Sequence, residues 1–341
     1  MSSDTNSSRP TVLLTNDDGP PDPKESPYIF GLYKHLTEHL GWNVKVVVPS
    51  SQKSWIGKAY HIKEITKGSY FYPTDPDGRG EICSESRPLK ENEVAEWILL
   101  DATPATCANI GIHNIYPNEI DLVISGPNLG RNSSSAFALS SGTVGAAMSS
   151  SLSKIRSIAI SYGTVIHPTP TTYFEPAHIL GTKIIDHLWK TWGSDEYGLK
   201  NKEVDLYNVN IPLIEPLLSE EGLKIYWTTM WRTSYGRLFK ALPGDMPLTP
   251  KVNPAGPDSS TAAVEPVENA TPTKRTLEFK WAPAMEGLIR PDNSSLVEGS
   301  DGWALHHGAV SVTPLRASFA EPVEGIHEFS TVEDRIWKVK L

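Results

Sequence analysis

The fold is decided by Thr11-Val-Leu-Leu-Thr-Asn-Asp-Asp-Gly19. Val12, Leu13 and Leu14 make a short apolar run between polar residues, the pattern of a buried strand. The run ends in Asn16, Asp17, Asp18 and Gly19. Neighbouring carboxylates repel one another, so a strand end carrying both needs positive charge nearby. A hard divalent cation such as Mg2+ or Mn2+ accepts oxygen ligands of this kind. A solvated turn is the competing reading, because Asp-Gly is a common turn pair. Downstream, Ser26 can cap a helix whose first position is Pro27, and Gly41 stands just past its end. Between them Ile29, Leu32, Tyr33, Leu36 and Leu40 recur at helical spacing. Val44, Val46, Val47 and Val48 then make a second strand that stops at Pro49. Strand, loop, helix and strand form a βαβ unit, which crosses over right-handed into a parallel sheet. Its ligands bind beyond the carboxyl ends of the strands. Asp17 and Asp18 lie at one such end, and Pro49-Ser-Ser-Gln-Lys-Ser54 at the next.

The rest of the chain extends this pattern. Glu96–Leu100, Asp121–Ser125 and Ser157–Ser161 read as strands. Thr103 can cap a helix that has Pro104 at its first position. Gly126-Pro-Asn128-Leu-Gly130-Arg-Asn132 is a glycine-rich loop that lets backbone approach a ligand; an ordinary strand–helix turn is the alternative. Ser140-Ser141-Gly142-Thr143 begins a helix whose free N–H groups and positive dipole end suit an anion. Ile179–Trp192 is an amphipathic helix. Residues 58–95 are polar, with a hairpin tip at Pro73–Gly78. Beyond residue 200, strands are expected at 206–212, 225–227, 277–281 and 310–314. A mobile loop is expected near 242–272, where Pro, Ala, Thr and Ser dominate. The expected architecture is α/β: a tail at 1–10, a Rossmann-like three-layer αβα core with a mostly parallel sheet over 11–200, and a β-rich C-terminal part over 201–341.

Composition narrows the function. The 341 residues carry a formal net charge of −9, which excludes the basic footprint of a nucleic-acid groove but not a small phosphate ester. Cys83 and Cys107 imply no disulfide framework, and Cys107 reads as a small core residue. The polar N-terminus and the absence of an 18-residue apolar run predict a cytoplasmic protein without a membrane span. The adjacent pair His306-His307 should point apart on a strand.

Taken together, Asn16-Asp-Asp-Gly19, Pro49 followed by Ser54, Ser125-Gly-Pro-Asn128 and Ser141-Gly-Thr143 resemble the SurE family of survival proteins, metal-dependent 5'/3'-nucleotidases. The likeness covers most of residues 11–162. It returns at 206–212, 235–237, 299–304 and 308–315. The chain departs from bacterial members at Lys53-Ser54-Trp55, where they carry Arg-Ser-Gly, and in a loop after Asn128 that is one residue longer. The resemblance implies metal ligands at Asp17, Asp18, Ser54 and Asn128, with the Asp pair catalytic. It implies phosphate contacts at Asn132 and Ser141-Gly142-Thr143. Asn16 and Thr103 are pocket residues in this scheme, or else serve as turn and cap. The implied activity is hydrolysis of nucleoside 5'- and 3'-monophosphates and similar esters by metal-activated water, with Mg2+ or Mn2+ as cofactor. An aspartyl-phosphate acid phosphatase and a non-catalytic metal- or nucleotide-binding protein are the alternatives. A receiver domain would be about a third this length, and the Asp-x-Asp of haloacid-dehalogenase phosphatases is absent. Relatives of this type assemble as dimers or tetramers through extended C-terminal arms.

Overall fold

The computed structural model describes residues 9–163, 168–242 and 277–320. Most of the expected tail and loop (1–10 and 242–272) lies outside them, as does the end of the C-terminal part. In chain order the strands are β1 (Thr11–Thr15), β2 (Asn43–Pro49), β3 (Gly68–Pro73), β4 (Gly80–Cys83), β5 (Trp97–Leu100), β6 (Leu122–Leu129), β7 (Arg156–Gly163), β8 (Leu206–Pro212), β9 (Ile225–Trp227), β10 (Phe239–Ala241), β11 (Phe279–Trp281) and β12 (Val310–Leu315). The helices are α1 (Ile29–Lys34), α2 (Pro104–Ile110), α3 (Ser134–Ser140), α4 (Gly142–Leu152), α5 (Phe174–Lys190), α6 (Glu286–Ile289) and α7 (Asp301–His306).

Ten strands form one sheet in the order β4-β3-β5-β2-β1-β6-β7-β8-β12-β9. From β5 to β8 every pairing is parallel, and antiparallel strands extend both ends. The α/β class with a mostly parallel sheet is therefore observed. Alternation along the strands separates the two faces. Val12, Leu14, Val46 and Val48 pack in the core beneath α1 and α5, whereas Leu13, Val47 and Val123 pack with Cys107 and Ile112 on the α2 side. α4 joins that second face through Val144 and Ala147 against Ala159 and Leu206. Three layers result, and a strand buried on both faces needs the near-continuous apolar run that β1 has.

Several local expectations change. Ser26 does not cap α1; Tyr28 holds that position without a side-chain cap, and the Ser26 hydroxyl donates to the Gly19 carbonyl at 2.9 Å. α1 relaxes into a π-helical turn at His35–His39. α5 begins five residues before the expected start, at Phe174. His306 ends a helix, not a strand, and His307 is its C-cap. β8, β12 and β9 of the C-terminal part extend the main sheet, while β10 and β11 form a separate antiparallel pair. Among the described residues no helix is long and apolar enough to cross a membrane.

Candidate active site

β2 lies on one side of β1 and β6 on the other, so the chain reverses its direction of travel across the sheet at β1. The crevice beyond the carboxyl ends at such a reversal is where open α/β sheets bind ligands. Asp17 and Asp18 follow β1 there, and each is only 3 % exposed. Asn16 ties the turn down. Its side-chain amide donates to the Gly19 carbonyl at 2.8 Å and the Ser26 hydroxyl at 3.1 Å, and its oxygen accepts from the Gly19 amide at 3.0 Å. Gly19 takes a φ of +89°, which glycine adopts without strain.

Asp17, Ser54, Asn128, Asn132 and Ser141 line one small recess together with Trp55, Phe137 and Ser140. A cleft of about 1000 Å3 lies elsewhere, between α1 and α5, and includes none of them. Different strand ends deliver these side chains. The Lys53 amide donates to the Asp17 carbonyl at 2.7 Å, which draws the loop after β2 against the turn after β1. Gly145 lets α4 press on that loop, since a Cβ there would stand 2.4 Å from the Gly57 carbonyl oxygen. The expected glycine-rich loop after Ser125 is instead a continuation of β6, whose register shifts between Ser125 and Asn128. Gly126 sits at φ +123°, and a Cβ on it would meet the Ile160 carbonyl oxygen at 2.1 Å. Bulges of this kind re-aim side chains next to active sites; here the residue re-aimed is Asn128.

The start of α4 is directed at Asp17. Thr143 Oγ1 donates to Asp17 Oδ1 at 2.5 Å, and the amides of Gly142 and Thr143 further favour the charged carboxylate. A Cβ at position 142 would lie 2.7 Å from Asp17 Cβ, so only glycine admits this approach. Ser141 caps the helix, its hydroxyl accepting from the Val144 amide at 3.1 Å. Asp18 Oδ2 accepts from the Leu129 amide at 2.8 Å. Thr103 caps α2 and donates to the Ala59 carbonyl at 2.6 Å; it does not line the recess. Asn132 is held on three sides. Its amide donates to Asn210 Oδ1 at 2.7 Å, its Nδ2 to Ser161 Oγ at 2.9 Å, and its carbonyl accepts from Asn208 Nδ2 at 2.8 Å.

Burial raises the Asp17 carboxyl above the ordinary range against the Thr143 hydrogen bond. Asp18 is pushed well above it, by burial first and by the charge of Asp17 second. No ion pair to Asp17 or Asp18 occurs among the described residues. An enclosed carboxylate pair with no cationic partner takes either a proton or a cation. The described residues hold no cluster of three or more His, Cys, Asp or Glu. A cation at this point therefore depends on the neutral oxygens of Ser54 and Asn128, a hard-ligand set that suits Mg2+ or Mn2+ and not a softer metal.

Ser161, Asn208, Asn210 and Phe137 also stand at or behind the recess, and little in the sequence marks them. The one available signal was the polar Asn-Val-Asn alternation inside an otherwise apolar β8, since buried amides need partners. Cys107 is enclosed and burial pushes its thiol far up, which fits a core residue and not a nucleophile.

Residues 12–237 match the family described as "Survival protein SurE". The chain is 33 % identical to a Saccharomyces cerevisiae protein named probable tubulin–tyrosine ligase PBY1, over 90 % of this chain but 41 % of the yeast protein. It is 33 % identical to 5'-nucleotidase SurE of Campylobacter concisus, over 59 % of this chain and 66 % of the relative. The Geobacter sulfurreducens 5'-nucleotidase SurE is 27 % identical over 89 % and 87 %. The crystal structure of the Aquifex aeolicus SurE protein shares the fold, with a TM-score of 0.56 over 91 % of this chain and 95 % of that one at 24 % identity.

Proposed function

The chain belongs to the survival protein SurE family, and on that footing we propose that it is a metal-dependent phosphomonoesterase acting on nucleoside 5'- and 3'-monophosphates and similar small phosphate esters. The observation that carries this reading is the buried pair Asp17 and Asp18 at the sheet's switch point, which has no ion-pair partner among the described residues. Relatives named 5'-nucleotidase support the substrate class. Asp17, Asp18, Ser54 and Asn128 would hold the metal, Mg2+ or Mn2+. When bound, such a cation neutralises the pair, polarises a phosphoryl oxygen and lowers the pKa of a water.

The chain's own residues do the rest. Asn132 uses one amide hydrogen on Ser161 and keeps the other for a phosphoryl oxygen. Ser141 accepts from Val144 and so keeps its hydroxyl hydrogen for a second oxygen. Phe137 and Trp55 give the recess two apolar rings in its wall, and a lower local dielectric strengthens each polar contact beside them. Asp17 Oδ1 and Asp18 Oδ2 accept from Thr143 Oγ1 and the Leu129 amide, which holds both carboxylates in place for a cation.

The yeast relative's name adds no second reading, because the match spans 41 % of that protein. We assign the exposed rings of Phe239, Phe279 and Trp281 on β10 and β11 to contacts with a second copy in a dimer or tetramer. A monomer by sedimentation at micromolar concentration would overturn that assignment. The activity is tested by hydrolysis of 5'-AMP and 3'-AMP in Mn2+, comparing the wild type with Asp18→Asn. The variant's kcat should fall by at least ~10²-fold if its carboxylate supplies ~3 kcal/mol or more. Equal turnover by both would falsify the reading.

A further inference from the structure

Two residues after Asn132 the chain enters α3, and its first residue, Ser134, sits at φ +68°. Residues with a Cβ adopt this left-handed conformation only at a cost of about 1–2 kcal/mol, so something must hold it. The anchors come from the far end of the chain. Asp301, enclosed at the start of α7, accepts from the Ser134 amide through Oδ2 at 2.8 Å, across 167 residues of sequence. Its Oδ1 accepts from the Trp231 amide at 2.9 Å and from its neighbour Gly302 at 2.7 Å. The Ser135 amide donates to the Trp231 carbonyl at 2.9 Å. Thr233 completes the clasp: its amide donates to Ser135 Oγ at 2.8 Å, and its hydroxyl accepts from the Ala136 amide at 3.3 Å. Burial pushes the Asp301 carboxyl up to about 6, so the group is held there against its own desolvation. A group of that cost is retained for the three amides it receives.

We propose that Asp301 is a positioning residue for phosphate binding: its carboxylate fixes the left-handed turn at Ser134 and so fixes how Asn132 faces the recess. The proposal rests on the phosphoester reading above. β7 and β8 hold Asn132 from the sheet side through Ser161, Asn208 and Asn210. Asp301 holds the chain where it leaves that residue. Asn132 stands two residues from Ser134 in the chain, whereas Asp17, Asp18 and Ser54 follow other strands and Asn128 lies within β6, so the clasp bears on phosphate and not on metal.

The test uses the full chain loaded with Mn2+ and inorganic phosphate as the probe, measured by calorimetry. Asp301→Asn keeps the side chain's size but replaces one acceptor by a donor facing an amide. Its phosphate Kd should rise about tenfold or more while its Mn2+ affinity stays within about threefold. With p-nitrophenyl phosphate, KM should rise by the same factor and kcat should change little. Adding Ser134→Gly should recover most of the phosphate affinity, because glycine takes this conformation unaided. A carboxylate that merely stabilised the fold would not be rescued in this way. An unchanged phosphate Kd in the single variant, or no recovery in the double variant, overturns the proposal. Should Asp301→Asn fail to fold, Thr233→Val carries the same comparison: weakened phosphate with Mn2+ retained supports the clasp, and both unchanged overturns it. A wild type that binds Mn2+ and phosphate but hydrolyses no ester removes the phosphatase reading while the clasp is still judged by binding.

Discussion

Thr143→Val tests how the start of α4 is used. The substitution keeps the side chain's shape and removes one hydroxyl, which donates to Asp17 Oδ1 at 2.5 Å inside the protein. Hydrogen bonds to charged groups contribute about 1.5–3 kcal/mol. Removing this one leaves Asp17 with the same desolvation and less compensation, so its carboxyl rises further above the ordinary range. A metal binds the deprotonated group, and the lost stabilisation is charged against metal affinity. At about 2 kcal/mol the Kd for Mn2+ at neutral pH should rise roughly 30-fold. Calorimetric titration of wild type and variant with Mn2+ measures this directly, and the gap between them should narrow as pH rises. From sequence, the Ser141-Gly142-Thr143 start serves phosphate, and the same variant would lose phosphate affinity with metal binding intact. That second outcome would refute the reasoning from the Thr143–Asp17 bond.

Further outcomes follow from the same geometry. Gly142→Ala places a methyl 2.7 Å from Asp17 Cβ and 3.0 Å from its Oδ2, so Mn2+ affinity by calorimetry should fall at least about tenfold. Trp55 packs edge-on against Phe137, Tyr235 and Trp281, with ring centroids 6.1, 6.0 and 4.9 Å away. Its ring is committed to this cluster, and Trp55→Ala should lower stability by about 1–3 kcal/mol. The ratio of kcat/KM for 5'-AMP over p-nitrophenyl phosphate should stay within about twofold; a collapse of that ratio would mean the ring stacks on the base. Burial pushes the Asp301 carboxyl up to about 6, above the ordinary carboxylate range. A raised carboxyl contributes stability that is full below about 4 and is lost as pH rises through about 6. Urea melts at pH 4.5 and 7 should therefore show wild type losing ground to Asp301→Asn at the higher pH, by at most roughly 3 kcal/mol.

The legible part of the molecule is where local chemistry and global structure agree. β1 and the Asn16–Gly19 turn, the Thr103 cap with Pro104, the hairpin tip after Pro73 and the helix start after Ser140 are all set by near neighbours in sequence. The sequence also brought Asp17, Ser54, Asn128, Asn132 and Ser141 to notice, and these line one recess. α3 escaped because Ser134–Ser140 carries little apolar periodicity; long-range bonds from Thr233 and Asp301 hold its first turn. The continuation of β6 through Gly126-Pro127 escaped because both residues ordinarily end strands. The target of Thr143 could not be read either, since a helix start attracts any anion, and the nearest is a carboxylate of the chain itself.

On the proposed reading Asp17 and Asp18 act through a divalent cation. Hydrolysis of p-nitrophenyl phosphate by the purified chain, before and after EDTA and then with Mg2+ or Mn2+ returned, tests it most directly. Turnover should disappear with the chelator and return with the metal, and Asp18→Asn should stay inactive throughout. Undiminished turnover in EDTA, or full activity of Asp18→Asn in metal-free buffer, would contradict it.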